Sequence, residues 1–419
     1  MSTYRVPGVS IAVGQDDGQF WSAGYGTTST GSPTPVSART AFQACSISKH
    51  VAAFGALRLV ADGTLALDGD IGEYLTSWKL PPHEGWRVSV TLRQLLAHTA
   101  GLSDNWFRGY GSDELVPSML QILRGDAAAN TPPVRPSLLP GSRFRYSGSH
   151  YAVLQQLMVD VTGSPFDELM RGLVLEPVAM ADSSYSQQFP HQRPQMIAPG
   201  HHAGGTPVPG GWRTIPEMAG AGLWSTPTDL VRFELELARA ASGASDLLDR
   251  DLAAQMLTPQ LPDAPYGLGT ELKGSTGFGH SGGSIGYGCY SYAWPDAGVA
   301  VAVMTNSDDS LEIRRSIIAA ADRRYGSAVK AAPPGEVTGR YLLRDDYPID
   351  VTIVDDRLTL TAGGQPPAVL LPLPGGGYRH PGLDLQVTFQ RSGDQPYVME
   401  LRQEGTTQTA TRNEAGPSQ

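Results

Sequence analysis

The sequence is poor in lysine and cysteine, and both scarcities limit what the protein can do. Lysine occurs at only four positions, and acidic residues outnumber basic ones to give a net charge of −10. A negative chain is a poor partner for nucleic acid or for an anionic membrane surface. The two cysteines, Cys45 and Cys289, are too few for a disulfide framework and fit no metal-binding spacing. We therefore expect no metal ion, no cofactor, no nucleic acid and no membrane among the partners.

Long apolar runs are also absent. The run at residues 298–304 has only the length of a strand, whereas a membrane-spanning helix needs about 20 apolar residues. The first residues lack the basic start and apolar core of a secretory signal, so the sequence predicts a cytoplasmic protein. A secreted protein whose signal had been removed would show the same start. The length of 419 residues allows one large domain and a smaller one.

Hydrophobic periodicity predicts groups of strands and helices along the chain. Apolar residues at helical spacing predict helices at 51–60, 90–102, 151–162, 166–175, 230–241 and 311–325. Turn residues between apolar runs predict strands at 7–14, 19–26, 277–283, 288–294 and 298–305. Beyond residue 339 only short strands with Gly, Asp and Pro turns follow, which indicates a small β-barrel or sandwich.

A lysine interrupts the first apolar helix three residues after a serine. Residues three apart share a helix face, so Ser46 and Lys49 can meet. Burial among apolar neighbours lowers the pKa of a lysine, which can then take the proton of a serine nucleophile. The same Ser-x-x-Lys pattern recurs at Ser327 and Lys330, but a linker-like Pro-Gly stretch follows it. The first copy is therefore the better candidate for catalysis.

Two later stretches carry further candidate chemistry. Tyr146 lies on a loop just before a helix, and a tyrosine with a lowered pKa near a lysine can relay protons. His280 and Ser281 lie on a strand that leads into a glycine-rich turn at Gly282 and Gly283. A strand N–H there can pair with the N–H of the nucleophile to hold an oxyanion.

In this order the three stretches resemble the motifs of the serine β-lactamase and penicillin-binding-protein superfamily. They resemble in particular the branch that contains class C β-lactamases, D-alanyl-D-alanine carboxypeptidases, D-aminopeptidases and related esterases. By this resemblance Ser46 is the acylated nucleophile, Lys49 its base and Tyr146 a proton shuttle. His280, Ser281 and Gly282 fill the third motif, which is usually Lys-Thr-Gly or His-x-Gly. The resemblance places the oxyanion hole at the N–H groups of Ser46 and Gly283, and substrate contacts at Ser281, Gly282 and Gly148.

The resemblance also implies the architecture. We expect a mixed α/β (α+β) fold at residues 1–328, in which helices flank an antiparallel sheet and an all-helical lobe spans about 80–265. Residues 336–412 resemble the lipocalin-like antiparallel β-barrel domain attached to several such hydrolases, and 413–419 form a tail. The partners expected are a small-molecule or peptide substrate and further copies of the chain in a homo-oligomer.

The sequence departs from the family pattern at the second motif. Tyr146-Ser147-Gly148 replaces Tyr-x-Asn, whose asparagine normally contacts the substrate amide. Together with histidine in the third motif, this weakens the case for a β-lactamase. The resemblance favours a peptidase, amidase or esterase that acts on small acyl groups or on peptides containing D-amino acids.

Other functions remain open at this point. The alternatives are a thioesterase or acyltransferase that cyclises peptides through the same acyl-enzyme, a true β-lactamase, and a degenerate penicillin-recognising sensor without catalysis. Residues 279–283 also fit the Gly-x-Ser-x-Gly elbow of α/β-hydrolases. That elbow needs a helix directly after the serine, whereas turn and strand patterns follow here, so we reject it.

Overall fold

The chain forms two compact units, Met1–Ile318 and Ala319–Gln419. The computed structural model describes residues 6–83, 85–262, 264–273, 277–325, 334–344, 346–354, 357–363, 365–372, 377–380, 385–391, 395–403 and 406–413. The second Ser-x-x-Lys copy, at 327–330, lies outside these residues. The domain limits expected at 328 and 336 also fall near this gap and stay predictions.

The first unit is organised around a six-stranded antiparallel sheet. Its strands, in chain order, are β1 (Gly8–Gln15), β2 (Phe20–Gly26), β3 (Phe42–Gln43), β4 (Trp224–Ser225), β5 (Glu271–Lys273), β6 (Gly277–Ser284), β7 (Tyr287–Trp294) and β8 (Val299–Thr305). The main sheet has the order β2-β1-β8-β7-β6-β5, and β3 pairs with β4 separately. Every residue of β8 is buried, as expected for a strand without polar alternation. The predicted hairpin and the three later strands are confirmed.

Twelve α-helices lie in the described residues, and no helix there is long and apolar enough to cross a bilayer. They are α1 (Ile47–Ala61), α2 (Ile71–Tyr74), α3 (Leu92–Leu96), α4 (Met119–Arg124), α5 (Gly148–Thr162), α6 (Phe166–Met170), α7 (Phe189–Gln192), α8 (Met218–Ala221), α9 (Pro227–Ser242), α10 (Arg250–Met256), α11 (Leu311–Tyr325) and α12 (Pro334–Val337). Helix α1 has no single apolar face, because twelve of its fifteen residues are buried in the core. A buried pair, His50 Nε2 and Glu234 Oε2 at 3.2 Å, joins it to α9.

Two predicted helices end earlier than their apolar spacing suggests. Helix α3 starts as predicted, with a capping box between Thr91 and Gln94, but stops at Leu96 instead of reaching residue 102. His98 ends it because this residue adopts a left-handed backbone with φ 57°. The helix predicted at 166–175 changes after Met170 into a π-helical turn, Arg171–Leu175.

The second unit contains one antiparallel sheet of nine strands with its own apolar core. Its strands are β9 (Gly339–Arg344), β10 (Tyr347–Val354), β11 (Arg357–Ala362), β12 (Ala368–Val369), β13 (Leu371–Pro372), β14 (Tyr378–Arg379), β15 (Leu385–Gln390), β16 (Val398–Gln403) and β17 (Thr406–Arg412). Their order is β12-β11-β10-β9-β17-β16-β15-β14-β13. The core includes Tyr341, Val351, Val387 and Met399. This sheet confirms the small antiparallel β-domain in the predicted fold class.

Candidate active site

The turn before α1 holds Ser46 in a fixed position beside strand β6. Cys45 adopts a left-handed backbone with φ 51°, and the N–H of Ala44 donates to Leu223 O at 2.8 Å. A side chain at Gly282 of β6 would meet Ala44 O at 2.7 Å, so only glycine permits this close approach. The buried thiol of Cys289 donates to the same Ala44 O at 3.0 Å. Contacts of Gly282 and Cys289 with Ala44 therefore hold the turn against the sheet.

Lys49 points its amine at Ser46. Its Nζ lies 3.1 Å from Ser46 Oγ and 2.7 Å from the carbonyl oxygen of Gly220. Only 2% of Lys49 is exposed, and this burial lowers the pKa of its amine to about 7. A substantial fraction of Lys49 is therefore neutral near pH 7 and can accept the proton of Ser46. The sequence offered no functional signal for Gly220, whose contribution is a backbone oxygen.

Tyr146 lies next to this pair. Lys49 Nζ is 5.0 Å from the centre of the Tyr146 ring, and the rings of His98 and Tyr146 are 4.3 Å apart. Although 37% of Tyr146 is exposed, burial of its hydroxyl end raises the pKa of Tyr146, and an interaction with Ser46 only partly opposes this. The direction is opposite to the lowered pKa expected from the sequence. Tyr146 is therefore a neutral phenol near pH 7, suited to donating a proton.

The groups expected to bind an oxyanion face a small cavity. Ser46 and Gly283 both line it, and a Cβ placed on Gly283 would have no atom within 4 Å. The Ser46 N–H donates no backbone hydrogen bond to any residue that the structure describes. This donor is therefore available to an incoming carbonyl oxygen. The oxyanion role of the two residues stays a prediction.

The third motif lies beside the cavity rather than in it. The ring of His280 is completely buried, with Nε2 3.1 Å from Tyr266 Oη. Burial lowers the pKa of His280 to about 4, so the ring is neutral even though Glu271 lies 3.5 Å away. The hydroxyl of Ser281 donates to Glu271 Oε1 at 2.7 Å, and Gly282 packs on Ala44.

His280, Ser281 and Gly282 each contact another part of the protein, and the roles expected for them at the substrate stay predictions. Of the four residues at 280–283, Gly283 alone lines the cavity in the described part of the chain. Tyr266 and Glu271, which hold His280 and Ser281, carried no sequence signal because they lie on a different strand or loop.

The structure explains the glycine that replaces the family's asparagine. Gly148 lines the cavity at the start of α5, and a Cβ there would lie 2.4 Å from Asn105 O and 2.7 Å from the Phe107 ring. A larger residue does not fit beneath this loop. Asn105 is itself buried. Its Nδ2 donates to Pro132 O at 3.0 Å, while its Oδ1 has no hydrogen-bond partner among the described residues.

The cavity has a volume of about 250 Å³. Its lining consists of Ser46, Lys49, Asp104, Asn105, Trp106, Phe107, Tyr146, Gly148, Ala221, Gly283 and Ser284. The sequence did not identify the four loop residues at 104–107 as part of this lining. The only available signal was the aromatic pair Trp106-Phe107 between polar residues in a non-helical stretch.

The histidines outside this cavity have structural partners. His201 Nδ1 lies 3.0 Å from Asn306 O, and His202 Nδ1 lies 3.1 Å from Asp308. Their different partners agree with side chains that point apart. Within the described residues, no group of three or more His, Cys, Asp or Glu side chains is arranged to hold a metal ion.

Comparison with known proteins finds relatives over most of the chain. Penicillin-binding protein 4 of Amycolatopsis lactamdurans is 29% identical over 325 residues, which make up 72% of this chain and 81% of that protein. Esterase EstB of Burkholderia gladioli is 27% identical over 317 residues, 65% of this chain and 79% of the esterase.

Two solved structures match both units. The crystal structure of SurE with D-Leu superposes with a TM-score of 0.61 and 25% identity, covering 98% of this chain and 96% of SurE. The octameric penicillin-binding protein homologue from Pyrococcus abyssi gives a TM-score of 0.64 at 22% identity, covering 98% and 97%. At that identity the Pyrococcus structure supports the fold alone.

The family assignment rests on a match that covers the whole catalytic unit. The model of the Beta-lactamase family matches residues 1–324, which include every residue that lines the cavity. This match confirms the resemblance based on the three motifs. The protein belongs to the Beta-lactamase family and is an enzyme of the serine hydrolase type.

Proposed function

We propose that the protein cleaves small amides or esters, including peptides that contain D-amino acids, through an acyl-enzyme on Ser46. The observation that carries this proposal is the 3.1 Å separation of Lys49 Nζ from Ser46 Oγ, with the lysine pKa lowered to about 7. A buried lysine that is neutral near physiological pH is an effective general base for a serine hydroxyl.

The reaction begins when neutral Lys49 takes the proton of Ser46 and Oγ attacks the substrate carbonyl carbon. The N–H groups of Ser46 and Gly283 stabilise the oxyanion of the tetrahedral intermediate. Neutral Tyr146 gives its proton to the leaving amine or alcohol as the carbon–leaving-group bond breaks. The Lys49 ammonium then returns a proton to Tyr146. Water attacks the acyl-enzyme by the reverse sequence of proton transfers, which releases the acid and restores the Ser46 hydroxyl.

The substrate class is supported by the cavity and by the relatives. A volume of about 250 Å³ is below the range of about 300–1,000 Å³ typical of drug-sized ligands, so the acyl part is small. EstB is named as an esterase, and SurE was solved with D-Leu. Acyl transfer to an amine, with or without peptide cyclisation, uses the same acyl-enzyme and is the second candidate. A homo-oligomer stays a prediction for this chain.

Covalent labelling tests the proposal. We expect a fluorophosphonate to add one label to the wild-type protein and none to Ser46→Ala, measured by intact-mass spectrometry. Ser284→Ala is the matched control because Ser284 lines the same cavity, whereas Lys49 approaches Ser46. An unlabelled wild type without detectable hydrolysis would favour the non-enzymatic sensor, and hydrolysis that Ser46→Ala leaves unchanged would reject the acyl-enzyme on Ser46.

A substrate panel separates the reaction classes. Turnover is compared for nitrocefin, a D-alanyl anilide, a p-nitrophenyl ester and a peptidyl thioester. We expect hydrolysis of the anilide or the ester to exceed that of nitrocefin. Rapid nitrocefin turnover without activity on the other three compounds would identify a β-lactamase instead.

A further inference from the structure

Asp104 places an unpaired carboxylate in the cavity of the nucleophile. It lines the same space as Ser46 and is exposed. No hydrogen bond or ion pair to its side chain occurs within the described ranges of the chain. Glu114, farther along the same region, differs because Arg108 and Arg213 donate to it at 2.9 and 2.7 Å. Arg108 and Arg213 therefore pair with Glu114, and the carboxylate of Asp104 is available to another partner.

The cavity offers little to a negatively charged group. Lys49 is the only cationic side chain in the described lining, and its amine already contacts Ser46 and the Gly220 carbonyl. Behind the cavity, His280 is neutral, and its neighbour Glu271 has a lowered pKa and is ionised. The guanidinium of Arg314 is turned to the carbonyl oxygens of Gly282 and Cys289. A substrate carboxylate therefore finds no free cation here.

Trp106, two residues after Asp104, adds a second feature that suits a cation. Trp106 lines the cavity and is 66% exposed, an unusual position for a large aromatic side chain. An indole face attracts an ammonium group through its quadrupole. A carboxylate and an indole in the lining of a small cavity therefore match a positively charged amine, and the indole also suits a small apolar side chain next to it.

We propose that Asp104 binds the ammonium group of the acyl donor, so that the enzyme prefers aminoacyl amides and esters with a free amino group. This inference rests on the proposed function. The amine of an acyl acceptor is a less suitable partner, because a nucleophilic amine must be neutral when it attacks, whereas a carboxylate favours its protonated form. The ammonium of the donor keeps its charge throughout the reaction.

The test compares one substrate with and without its charge. D-Leucine p-nitroanilide and N-acetyl-D-leucine p-nitroanilide are assayed at pH 7, where an α-amino group is mostly protonated. We expect the wild type to favour the free amine in kcat/KM by roughly ten-fold, a size consistent with one ion pair in a partly desolvated site. Asp104→Asn should reduce this ratio to near one, and Asp104→Glu should retain most of it.

Asp113→Asn is the matched control, since it removes the same charge from the same region of the chain but does not touch the cavity. It should leave the ratio unchanged. An unchanged ratio in Asp104→Asn, or a wild type that prefers the acetylated substrate, would overturn the inference. So would an Asp104→Asn effect confined to aminolysis by added D-alanine methyl ester, which would place the amine on the acceptor.

Fluorophosphonate labelling of the same samples separates this inference from the proposed function. A labelled wild type whose ratio does not depend on Asp104 contradicts the ammonium site alone. An unlabelled wild type contradicts the acyl-enzyme on Ser46, and the ammonium inference fails with it.

Discussion

At the scale of single residues, the site depends on how burial changes two acid–base groups in opposite directions. Removing a charged group from water disfavours its charged form. Burial therefore lowers the pKa of Lys49 to about 7, although the charges of Cys45 and Glu271 oppose this. The same effect raises the pKa of Tyr146. The result is a neutral base and a neutral acid close to Ser46, which is the pairing that acyl transfer requires.

These pKa shifts predict the pH dependence of catalysis. Protonated Lys49 cannot accept the Ser46 proton, so kcat/KM should rise as the pH increases through about 7 and then level off. The raised pKa of Tyr146 means that no decrease should follow up to pH 9. Initial rates with a p-nitrophenyl ester between pH 5 and 9, corrected for spontaneous hydrolysis, measure this profile.

The substitution Lys49→Arg should abolish the activity, because a guanidinium stays protonated in proteins and cannot accept the Ser46 proton. We expect a loss of at least about 10²-fold, the usual contribution of a general base. Lys79→Arg is the control, since Lys79 Nζ donates to the carbonyl of Gly72 outside the cavity. A flat profile from pH 5 to 9, or an active and folded Lys49→Arg, would show that Lys49 is not the base.

At the scale of elements, the loop at residues 103–109 lies over the start of helix α5 and determines what that helix can carry. The Asn105 carbonyl and the Phe107 ring occupy the space above Gly148, the position at which the family resemblance predicts an asparagine. The loop also supplies Asp104 and Trp106 to the cavity. One loop conformation therefore accounts both for the glycine at position 148 and for the presence of Asp104 and Trp106 in the cavity lining.

This packing predicts different costs for two glycine substitutions. Gly148→Ala should reduce the free energy of unfolding by about 1–3 kcal/mol, because its Cβ would lie 2.4 Å from Asn105 O. Gly283→Ala adds the same methyl group where no atom lies within 4 Å, so its effect should stay within about 0.5 kcal/mol. Urea unfolding followed by circular dichroism measures both values. Equal stability of the two variants would contradict the loop position.

The same elements show how far the sequence determines the site. Local spacing predicted α1, α11, the hairpin and the Ser46–Lys49 contact, because these depend on neighbouring residues in the chain. It could not predict the end of α3 at His98, which depends on a left-handed backbone. The orientation of His280 and the sign of the Tyr146 pKa shift also escaped prediction. Both depend on burial by segments that are distant in sequence.

At the scale of the whole molecule, the cavity and the C-terminal sheet belong to different units. Every residue that lines the cavity lies in the unit Met1–Ile318. The buried apolar side chains form one cluster from Ala12 to Met304 and a separate cluster from Val337 to Ala410. The family match ends at residue 324, before the second cluster begins. Separate cores are the physical basis for independent folding.

Truncation after residue 325 tests this division. The shortened chain keeps helix α11 and the whole first core, so we expect it to fold and to accept a fluorophosphonate on Ser46 as the full chain does. Scanning calorimetry of the full chain should show two transitions, of which the truncated chain retains one. Ser46→Ala in the truncated chain provides the labelling control. A truncated protein that stays unfolded would show instead that the first unit needs the C-terminal residues for its stability.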